Sequence, residues 1–384
     1  MRMRRLMVLW SLATGLVLSG AASPVWADDM DGDGVDDAID VCNNTPPGIA
    51  VDAEGRPLGD IDLDCDNDLD DYALYVQGFT GPLASGVVIE TVTIGNPGNP
   101  GELSGAGAGG YGPDAICGGV DYVYNIGKYE VTAEQYTAFL NAVAATDTYG
   151  LYTTSMWSSS YGCKIERSGS SGSYTYSVAP DWADRPVNYV SWGDAARFAN
   201  WLHNGQPTGA QDLGTTEDGS YFLDGATSKA ELLAVDREPD ATWVIPSEDE
   251  WYKAAYHKND GVTGHYWDYP MGSSAVPTSE PPPGTDMTYG SANYEDDGGY
   301  AIGGPYWRTE VGAYDAKPSD SPYGTFDQGG NVFEWNEAIF YEQYRGFRGG
   351  SFRSTGDQLH ASERWCNDAC FGYSDVGFRV SEVH

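Results

Sequence analysis

The stretch FDQGGNVFEW occupies residues 326–335, and two further segments, FRGGSF at residues 347–352 and GFRV at residues 377–380, follow it. Three earlier segments stand in the first two thirds of the chain: IGKYEVTAEQYTAFLNAV at residues 126–143, RPVNYVSWGDAARFANWLH at residues 185–203 and IPSEDEWYKAAYH at residues 245–257. The connections between the six are rich in Gly, Pro, Asn and Asp, which form turns. The pattern predicts one large, loop-rich domain over residues 84–384.

Three helices are predicted within this domain from their first residues. Each begins with a Ser or Thr that can cap the backbone three residues on, where a Gln, Asp or Glu can reach back. The pairs are Thr132 with Gln135, Ser191 with Asp194 and Ser247 with Glu250. Apolar residues follow at helical spacing, such as Tyr136, Phe139 and Leu140, so one face of each helix is expected to be buried.

The six segments resemble the signature of the formylglycine-generating enzyme family, whose members are also called sulfatase-modifying factors. The resemblance covers residues from about 88 to 384. Typical members read GNVWEW, RGGSW and GFR where this chain reads GNVFEW, RGGSF and GFR. The resemblance implies a compact, loop-rich α+β fold related to C-type lectins. It also implies an oxidoreductase that holds copper(I) and converts a sulfatase cysteine to formylglycine.

The thiols that this chemistry requires are missing from the matching positions. Active members carry two cysteines just after the RGGS run, and thiolates are the soft ligands that select copper(I). Here the residues from Phe352 to His360 include no cysteine. We therefore expect the scaffold without the oxidase activity, and we assign no catalytic residue.

The resemblance also implies a structural calcium site around the first signature segment. The matching ligands are the side chains of Asp327 and Glu334 and the carbonyl groups of Gly330 and Val332. Oxygen-only ligation with two carboxylates suits this hard cation. The alternative is that Glu334 only pairs with a nearby arginine.

A second family calcium site would use Asn293 and the carbonyl groups of Tyr294 and Tyr306. The acid that the family places there is absent, because Gly304 stands at the matching position. Acidic residues that could replace it follow directly: Glu295, Asp296 and Asp297.

The loop of residues 353–375 is expected to line the surface groove of this fold and to bind a peptide or glycan. It combines aromatic residues with an arginine, as recognition surfaces do. The groove candidates are Ser351, His360, Arg364 and Trp365. The alternative is that these side chains pack into the core around one disulfide.

The first residues carry an export pattern. A basic start precedes an apolar run over residues 6–17 and small residues up to Ala27, which predicts a signal peptide over residues 1–27. The run is too short for a membrane-spanning helix. We expect a secreted, periplasmic or envelope protein with no transmembrane segment in the mature chain.

The chain is strongly acidic, with 57 Asp and Glu against 20 Lys and Arg and a formal net charge of −37. Nucleic-acid recognition needs a basic surface, so nucleic acid is not an expected partner. Cations are the natural partners of such a charge.

Residues 28–83 form a separate acidic module with 16 acids and one basic residue, Arg56. Carboxylates alternate there as in a twelve-residue calcium loop, with Gly34 at the sharp turn and Val35 offering its carbonyl. The carboxylate ligands would be Asp29, Asp31, Asp33, Asp37 and Asp40. The continuation resembles thrombospondin type 3 repeats and dockerins.

A second acidic cluster at residues 60–71 precedes a helical apolar pattern that starts at Tyr72. The register of this second loop stays open, because Cys65 or Leu69 would hold the turn position. The alternative for the acidic runs is a solvated linker.

Six cysteines in an exported chain suit disulfides. Proximity suggests the pairs Cys42 with Cys65 and Cys117 with Cys163. Cys366 and Cys370 are then either structural or an unconventional copper pair.

Three functions compete. The first is a secreted, calcium-binding, non-catalytic family member that binds a ligand in its groove. The second is an active formylglycine-generating oxidase that uses Cys366 and Cys370. The third is an envelope assembly protein that docks an envelope partner through residues 28–83. The missing thiols favour the first.

Overall fold

The structure is a computed structural model that describes residues 86–297, 299–316 and 319–383. The expected signal peptide, both acidic calcium loops and the pair Cys42 and Cys65 lie outside these ranges. Within them, short helices and strands alternate with long irregular segments.

The three longest helices of the described ranges begin at the predicted capping boxes. The hydroxyl groups of Thr132, Ser191 and Ser247 each accept from the backbone N–H three residues on, and the acceptor side chain there binds the cap N–H in return. This local pattern satisfies donors that a helix start otherwise leaves unpaired. Helices α1 to α6 are Ala133–Val143, Ser155–Ser158, Pro180–Ala183, Trp192–His203, Lys229–Leu233 and Glu248–Tyr256.

The strands are short except for one hairpin near the C-terminus. Strands β1 to β8 are Thr91–Ile94, Glu102–Ser104, Ala115–Cys117, Tyr124–Gly127, Ile165–Ser168, Thr175–Val178, Trp243–Val244 and Thr278–Ser279. Strands β9 to β16 are Ser291–Ala292, Glu295–Asp296, Gly299–Tyr300, Phe333–Phe340, Tyr344–Arg348, Trp365–Asn367, Val376–Gly377 and Ser381–Glu382. Two 3₁₀ turns cover Ala106–Ala108 and Gly356–Leu359.

Two four-stranded sheets organise these strands. The first has the order β1-β4-β16-β7, so Ser381 pairs with Ile126 on one side and with Val244 on the other, antiparallel in both cases. The second has the order β14-β13-β12-β15, and in it β12 pairs antiparallel with β13 and parallel with β15. The family signature segments therefore supply the centre of the second sheet.

An aromatic core fills the space between these elements. Tyr136, Phe139 and Leu140 are fully buried, which confirms the predicted inner face of α1. The ring of Phe198 on α4 lies 5.3 Å from that of Phe139 and 5.4 Å from that of Phe378. Edge-to-face rings at such distances add to the gain from burial. The mixed helix and sheet, loop-rich fold is the one expected.

The predicted disulfide between Cys117 and Cys163 is wrong, because both thiols are free. Cys117 lies in a small cluster with Trp251 and accepts from Arg348 at 3.4 Å, whereas Cys163 lies in the main core. Closeness in sequence misled here because the folded chain separates the two clusters. None of the described helices is long and apolar enough to cross a membrane.

Candidate functional site

The turn before β12 is built from residues in the left-handed region. Asp327, Gly330 and Asn331 have φ angles of 61°, 91° and 56°. A Cβ on Gly330 would lie 2.4 Å from the carbonyl oxygen of Asn293, so only glycine fits there. The turn leads directly into β12, whose second residue is Glu334.

Glu334 is fully buried and is held by two donors. Arg379 donates through Nε and Nη2 to its two carboxylate oxygens at 2.5 and 2.7 Å, and Trp251 donates through Nε1 at 2.7 Å. Arg379 also donates to the carbonyl oxygens of Gly127 and Phe326. Glu334 therefore pairs with an arginine, as the alternative to calcium binding predicts.

Two more carboxylates lie near this pair. Glu130 is buried and accepts from the Asn331 side chain at 2.9 Å and the Val332 N–H at 3.2 Å. Burial raises its pKa well above the ordinary value, and the charges of Asp327 and Glu334 raise it further. Withdrawal from water also raises the pKa of Asp327 to about 6.

Sequence reasoning missed Glu130. The available signal was an acid placed between Tyr129 and Val131, directly before the helix cap Thr132. Three carboxylates around one arginine leave this region with an excess of negative charge, which buried sites relieve by binding protons or cations.

The first calcium site fits the residues in donor type. Asp327 and the peptide groups of Gly330 and Val332 offer oxygen ligands, as calcium requires. Glu334 would have to share its oxygens with Arg379. No group of three or more His, Cys, Asp or Glu side chains in the described ranges is arranged to hold a metal ion. Calcium here stays a prediction.

The second predicted calcium site is partly engaged in hydrogen bonds. The Asn293 amide donates to the carbonyl oxygen of Trp307 at 2.9 Å, while its Oδ1 is buried and has no partner in the part of the chain that the structure describes. The carbonyl oxygen of Tyr294 accepts from Ser279 at 2.6 Å, and that of Tyr306 accepts from the Arg308 N–H at 2.7 Å.

The segment after the Gly-Gly pair, where active family members carry thiols, presents hydroxyl groups. Ser351 is buried, and its Oγ lies 3.4 Å from that of Ser354. The Ser351 N–H donates to Ser354 Oγ at 2.9 Å, and the Arg353 N–H donates to Ser351 Oγ at 3.2 Å. These contacts are those of a tight hydrogen-bonded turn.

The other three groove candidates, Arg364, Trp365 and His360, each contact a different set of residues. Arg364 is buried and binds both oxygens of Glu248, at 2.8 and 2.6 Å. Trp365 stacks on Tyr111 with ring centres 4.3 Å apart, and His360 binds Ser362 through Nδ1.

None of these contacts joins one groove candidate to another. The core-packing alternative thus holds for Arg364 and Ser351, although it was framed around a disulfide that is not formed, since Cys366 and Cys370 are free.

A cleft of about 330 Å³ opens beside α4 instead. Its lining is mostly polar: Tyr149, Gly150, Thr153, Ser155, Tyr189, Ser191, Gly193, Asp194, Arg197, Thr227, Leu232, Cys370, Phe371 and Gly372. We refer to it as the α4 cleft. The predicted groove loop reaches it only through residues 370–372, and none of the four groove candidates lines it.

Two charged residues of α4 face this cleft. Arg197 donates to both oxygens of Glu217 at 2.7 and 2.8 Å and lies 4.6 Å from the ring of Tyr149. Asp194 accepts from the Ser191 N–H at 2.8 Å, and burial raises its pKa to about 6. The sequence identified Asp194 only as the capping-box partner of Ser191, because the cleft forms from distant segments.

Aromatic rings and a thiol complete the wall. Phe371 is 59% exposed, so its ring is available to a ligand. Tyr189 has a φ of 60°, a left-handed conformation that is costly for a bulky residue. Burial raises the pKa of Cys370, and the Asp368 carboxylate raises it further, so this thiol is protonated at neutral pH.

Comparison with known proteins agrees with the signature. The profile of the sulfatase-modifying factor enzyme 1-like domain matches residues 121–383. The chain belongs to this family. A search of curated proteins finds no match.

Among solved structures, this sulfatase-modifying factor domain is similar to CarF, to variable protein 1 of Treponema denticola and to PvdO of Pseudomonas aeruginosa. CarF is 20% identical with a TM-score of 0.45, covering 77% of this chain and 99% of CarF. The Treponema protein is 19% identical with a TM-score of 0.47, covering 77% and 95%. PvdO is 17% identical with a TM-score of 0.39, covering 78% and 93%.

Proposed function

We propose that this protein is a secreted, calcium-binding member of the sulfatase-modifying factor family that lacks oxidase activity and binds a peptide or glycan in the α4 cleft. The observation that carries the proposal is the hydroxyl turn of Ser351 and Ser354 in the segment where active members carry thiols. Hydroxyl groups are hard ligands that do not select copper(I).

The lining of the α4 cleft supports a ligand rich in hydrogen-bonding groups. Thr153 and Ser155 offer hydroxyl groups and Asp194 offers a carboxyl group, while Tyr149 and Phe371 offer ring faces. A few placed polar groups beside aromatic surface are typical of small-ligand sites. Within the expected relation to C-type lectins, this mixture favours a sugar over an extended peptide.

Calcium binding is proposed for Asp327, Glu334 and the carbonyl groups between them, and for the acidic module of residues 28–83. The excess of negative charge around Arg379 supports the former, because a bound cation would lower the cost of keeping Glu130 and Asp327 ionised. The module could also dock an envelope partner. Export, and hence localisation outside the cytoplasm, is part of the same proposal.

The oxidase alternative keeps one observation in its favour, since Cys370 lines the α4 cleft. In that reading Cys366 and Cys370 would hold copper(I) as thiolates. Burial raises the pKa of both, which opposes the thiolate form.

A direct test incubates the purified protein with copper(I), oxygen and a sulfatase-type cysteine peptide, followed by mass spectrometry for conversion of the thiol to an aldehyde. We expect no conversion by this protein, while an active family enzyme run in parallel as a positive control converts the peptide. Conversion that disappears in the double variant C366S/C370S would instead establish the oxidase.

Ligand binding is tested on a glycan array with the wild-type protein and two variants. Phe371→Ala should weaken binding of any retained glycan, whereas Phe222→Ala should not, because this ring, 52% exposed against 59% for Phe371, lies outside the α4 cleft. If both variants bind the glycan as strongly as the wild-type protein does, the ligand site lies outside the α4 cleft.

A further inference from the structure

Arg308 is a fully buried cation whose guanidinium is only partly hydrogen-bonded. Its Nη1 donates to the carbonyl oxygen of Tyr161 at 2.7 Å. Its Nε and Nη2 have no hydrogen-bond partner among residues 86–297, 299–316 and 319–383. Buried donors without a partner are rare in native proteins, and they cost most on charged groups.

Other buried arginines of this domain show a partner that the Nε and Nη2 edge commonly takes, although Arg345 donates only to carbonyl oxygens. In three of them, both atoms donate to the carboxylate of a glutamate at distances of 2.5–2.8 Å. The pairs are Arg197 with Glu217, Arg364 with Glu248 and Arg379 with Glu334. This edge is a planar fork that matches the two oxygens of a carboxylate.

No described carboxylate fills the fork of Arg308. Burial lowers its pKa to about 10, so the group is cationic at neutral pH. Arg185 beside it is another cation and donates to the Arg308 carbonyl oxygen. Burial raises the pKa of the nearby Cys163 thiol, and Glu130 accepts from residues 331–332.

Asn188 adds an unsatisfied acceptor at the same place. Its Nδ2 donates to the Tyr161 carbonyl oxygen that Arg308 also binds, at 2.7 Å, and to that of Ser374 at 2.5 Å. Its Oδ1 is buried and has no partner in the described ranges. A group that accepts from Arg308 and donates to Asn188 would satisfy both residues.

Aromatic rings lie around these two buried residues. The Phe352 ring centre lies 6.0 Å from the Arg308 guanidinium carbon. It lies 5.8 Å from the ring of Tyr161 and 6.3 Å from that of Trp307, both of which are half-buried. Because Arg308 and Phe352 are fully buried, a ligand can reach the guanidinium only if these rings move.

We propose that Arg308 and Asn188 form a carboxylate-binding site beneath the rings of Tyr161, Trp307 and Phe352. Arg185 already lies 3.6 Å from the Glu310 carboxylate, so a monocarboxylate neutralises the remaining charge of Arg308, whereas a doubly charged anion would leave an excess charge buried. An N–H or O–H next to the carboxylate would serve Asn188 Oδ1. The carboxylate comes from a free small acid or from the C-terminus of a peptide.

The test measures thermal stability and binding heat of the full chain at neutral pH. The probes are acetate and N-acetylglycine, each compared with chloride at equal ionic strength. N-acetylglycinamide is the matched control, because it keeps the N–H donors and lacks the carboxylate. A short peptide with a free or amidated C-terminus distinguishes the two sources.

Three variants locate the effect. Arg308→Met removes the charge and Arg308→Lys keeps the charge but lacks the planar fork, so one remains informative if the other fails to fold. Arg353→Met is the control, since this exposed guanidinium lies 5.2 Å from the Tyr161 ring and is a second cation near the same rings.

We expect N-acetylglycine to raise the melting temperature of the wild type and of Arg353→Met, with at least tenfold weaker binding to either Arg308 variant. If the peptide with a free C-terminus also binds, the site accepts peptide C-termini as well as small acids. If only the small acids bind, the site is restricted to them. If no carboxylate changes the melting temperature or gives binding heat with the wild type, the proposal is overturned, and water is then the partner of Arg308. If the Arg308 variants bind N-acetylglycine as tightly as the wild type does, the site lies elsewhere and the proposal is also overturned.

Discussion

Arg197 and Arg308 are both buried arginines of one domain, yet their surroundings differ. Arg197 meets both oxygens of Glu217, a carboxylate 2% exposed, and also donates to the carbonyl oxygen of Ala226. Arg308 meets one peptide oxygen and leaves two nitrogen atoms unbonded within the described chain. Among the residues that the structure describes, the domain supplies an internal anion to the first cation and not to the second, as expected where an external group completes the site.

The largest effect is expected at Arg197. Replacement by Met leaves the Glu217 carboxylate buried without its cation, which typically costs about 3–5 kcal/mol. Urea unfolding followed by tryptophan fluorescence measures the loss. A double variant that also carries Glu217→Gln should recover part of it, and a loss below about 1 kcal/mol would contradict the view that this pair is tightly coupled.

The next effect concerns a buried acid without a full ion pair. Burial raises the pKa of Asp194 to about 6 from 3.8, so the unfolded chain ionises first as pH rises. Stability contributed by the protonated acid is therefore present below about pH 4 and is lost as pH rises towards 6. The loss approaches about 3 kcal/mol for two pH units.

Asp194→Asn should remove this pH dependence while keeping a side-chain oxygen for the Ser191 cap. The measurement is the difference in unfolding free energy between variant and wild type at pH 4 and pH 7. A difference that does not change with pH would show that Asp194 ionises in the folded state as easily as in the unfolded state.

Arg308 itself should tolerate change far better than Arg197. In chloride buffer without carboxylates, Arg308→Met is expected to alter the unfolding free energy by no more than about 1 kcal/mol, because no carboxylate loses its partner. Chemical denaturation beside Arg197→Met provides the comparison. Equal losses for both variants would mean that an acceptor within the chain already serves Arg308.

The smallest effect is expected at an exposed ion pair. Lys128 and Glu90 lie 2.7 Å apart with side chains 26% and 58% exposed. Glu90→Gln should cost about 0.2–1 kcal/mol, and less at high salt, because water screens such pairs. A larger loss of unfolding free energy that does not depend on salt would show that the exposure of an ion pair does not predict its strength in this domain.

Local patterns explain what the sequence predicted well. The capping boxes at Thr132, Ser191 and Ser247 depend on residues three apart, so spacing alone located the helix starts. The signature segments likewise placed the chain in its family.

Contacts between distant residues explain what was missed. Arg364 was assigned to a groove, but it pairs with Glu248, which is 116 residues earlier in the chain. The unsatisfied fork of Arg308 depends on Tyr161 and Asn188, and no local pattern joins these three residues. The α4 cleft is assembled in the same way from four separate segments.

The placement of β16 has a consequence for biogenesis. Residues 381–382 lie between β4 and β7, so the first sheet cannot close until the ribosome has made these residues. A product truncated before β16 would leave the facing edges of β4 and β7 open and prone to aggregation. Closure of this sheet thus makes the pairing around β4 and β7 depend on a strand that is synthesised long after both.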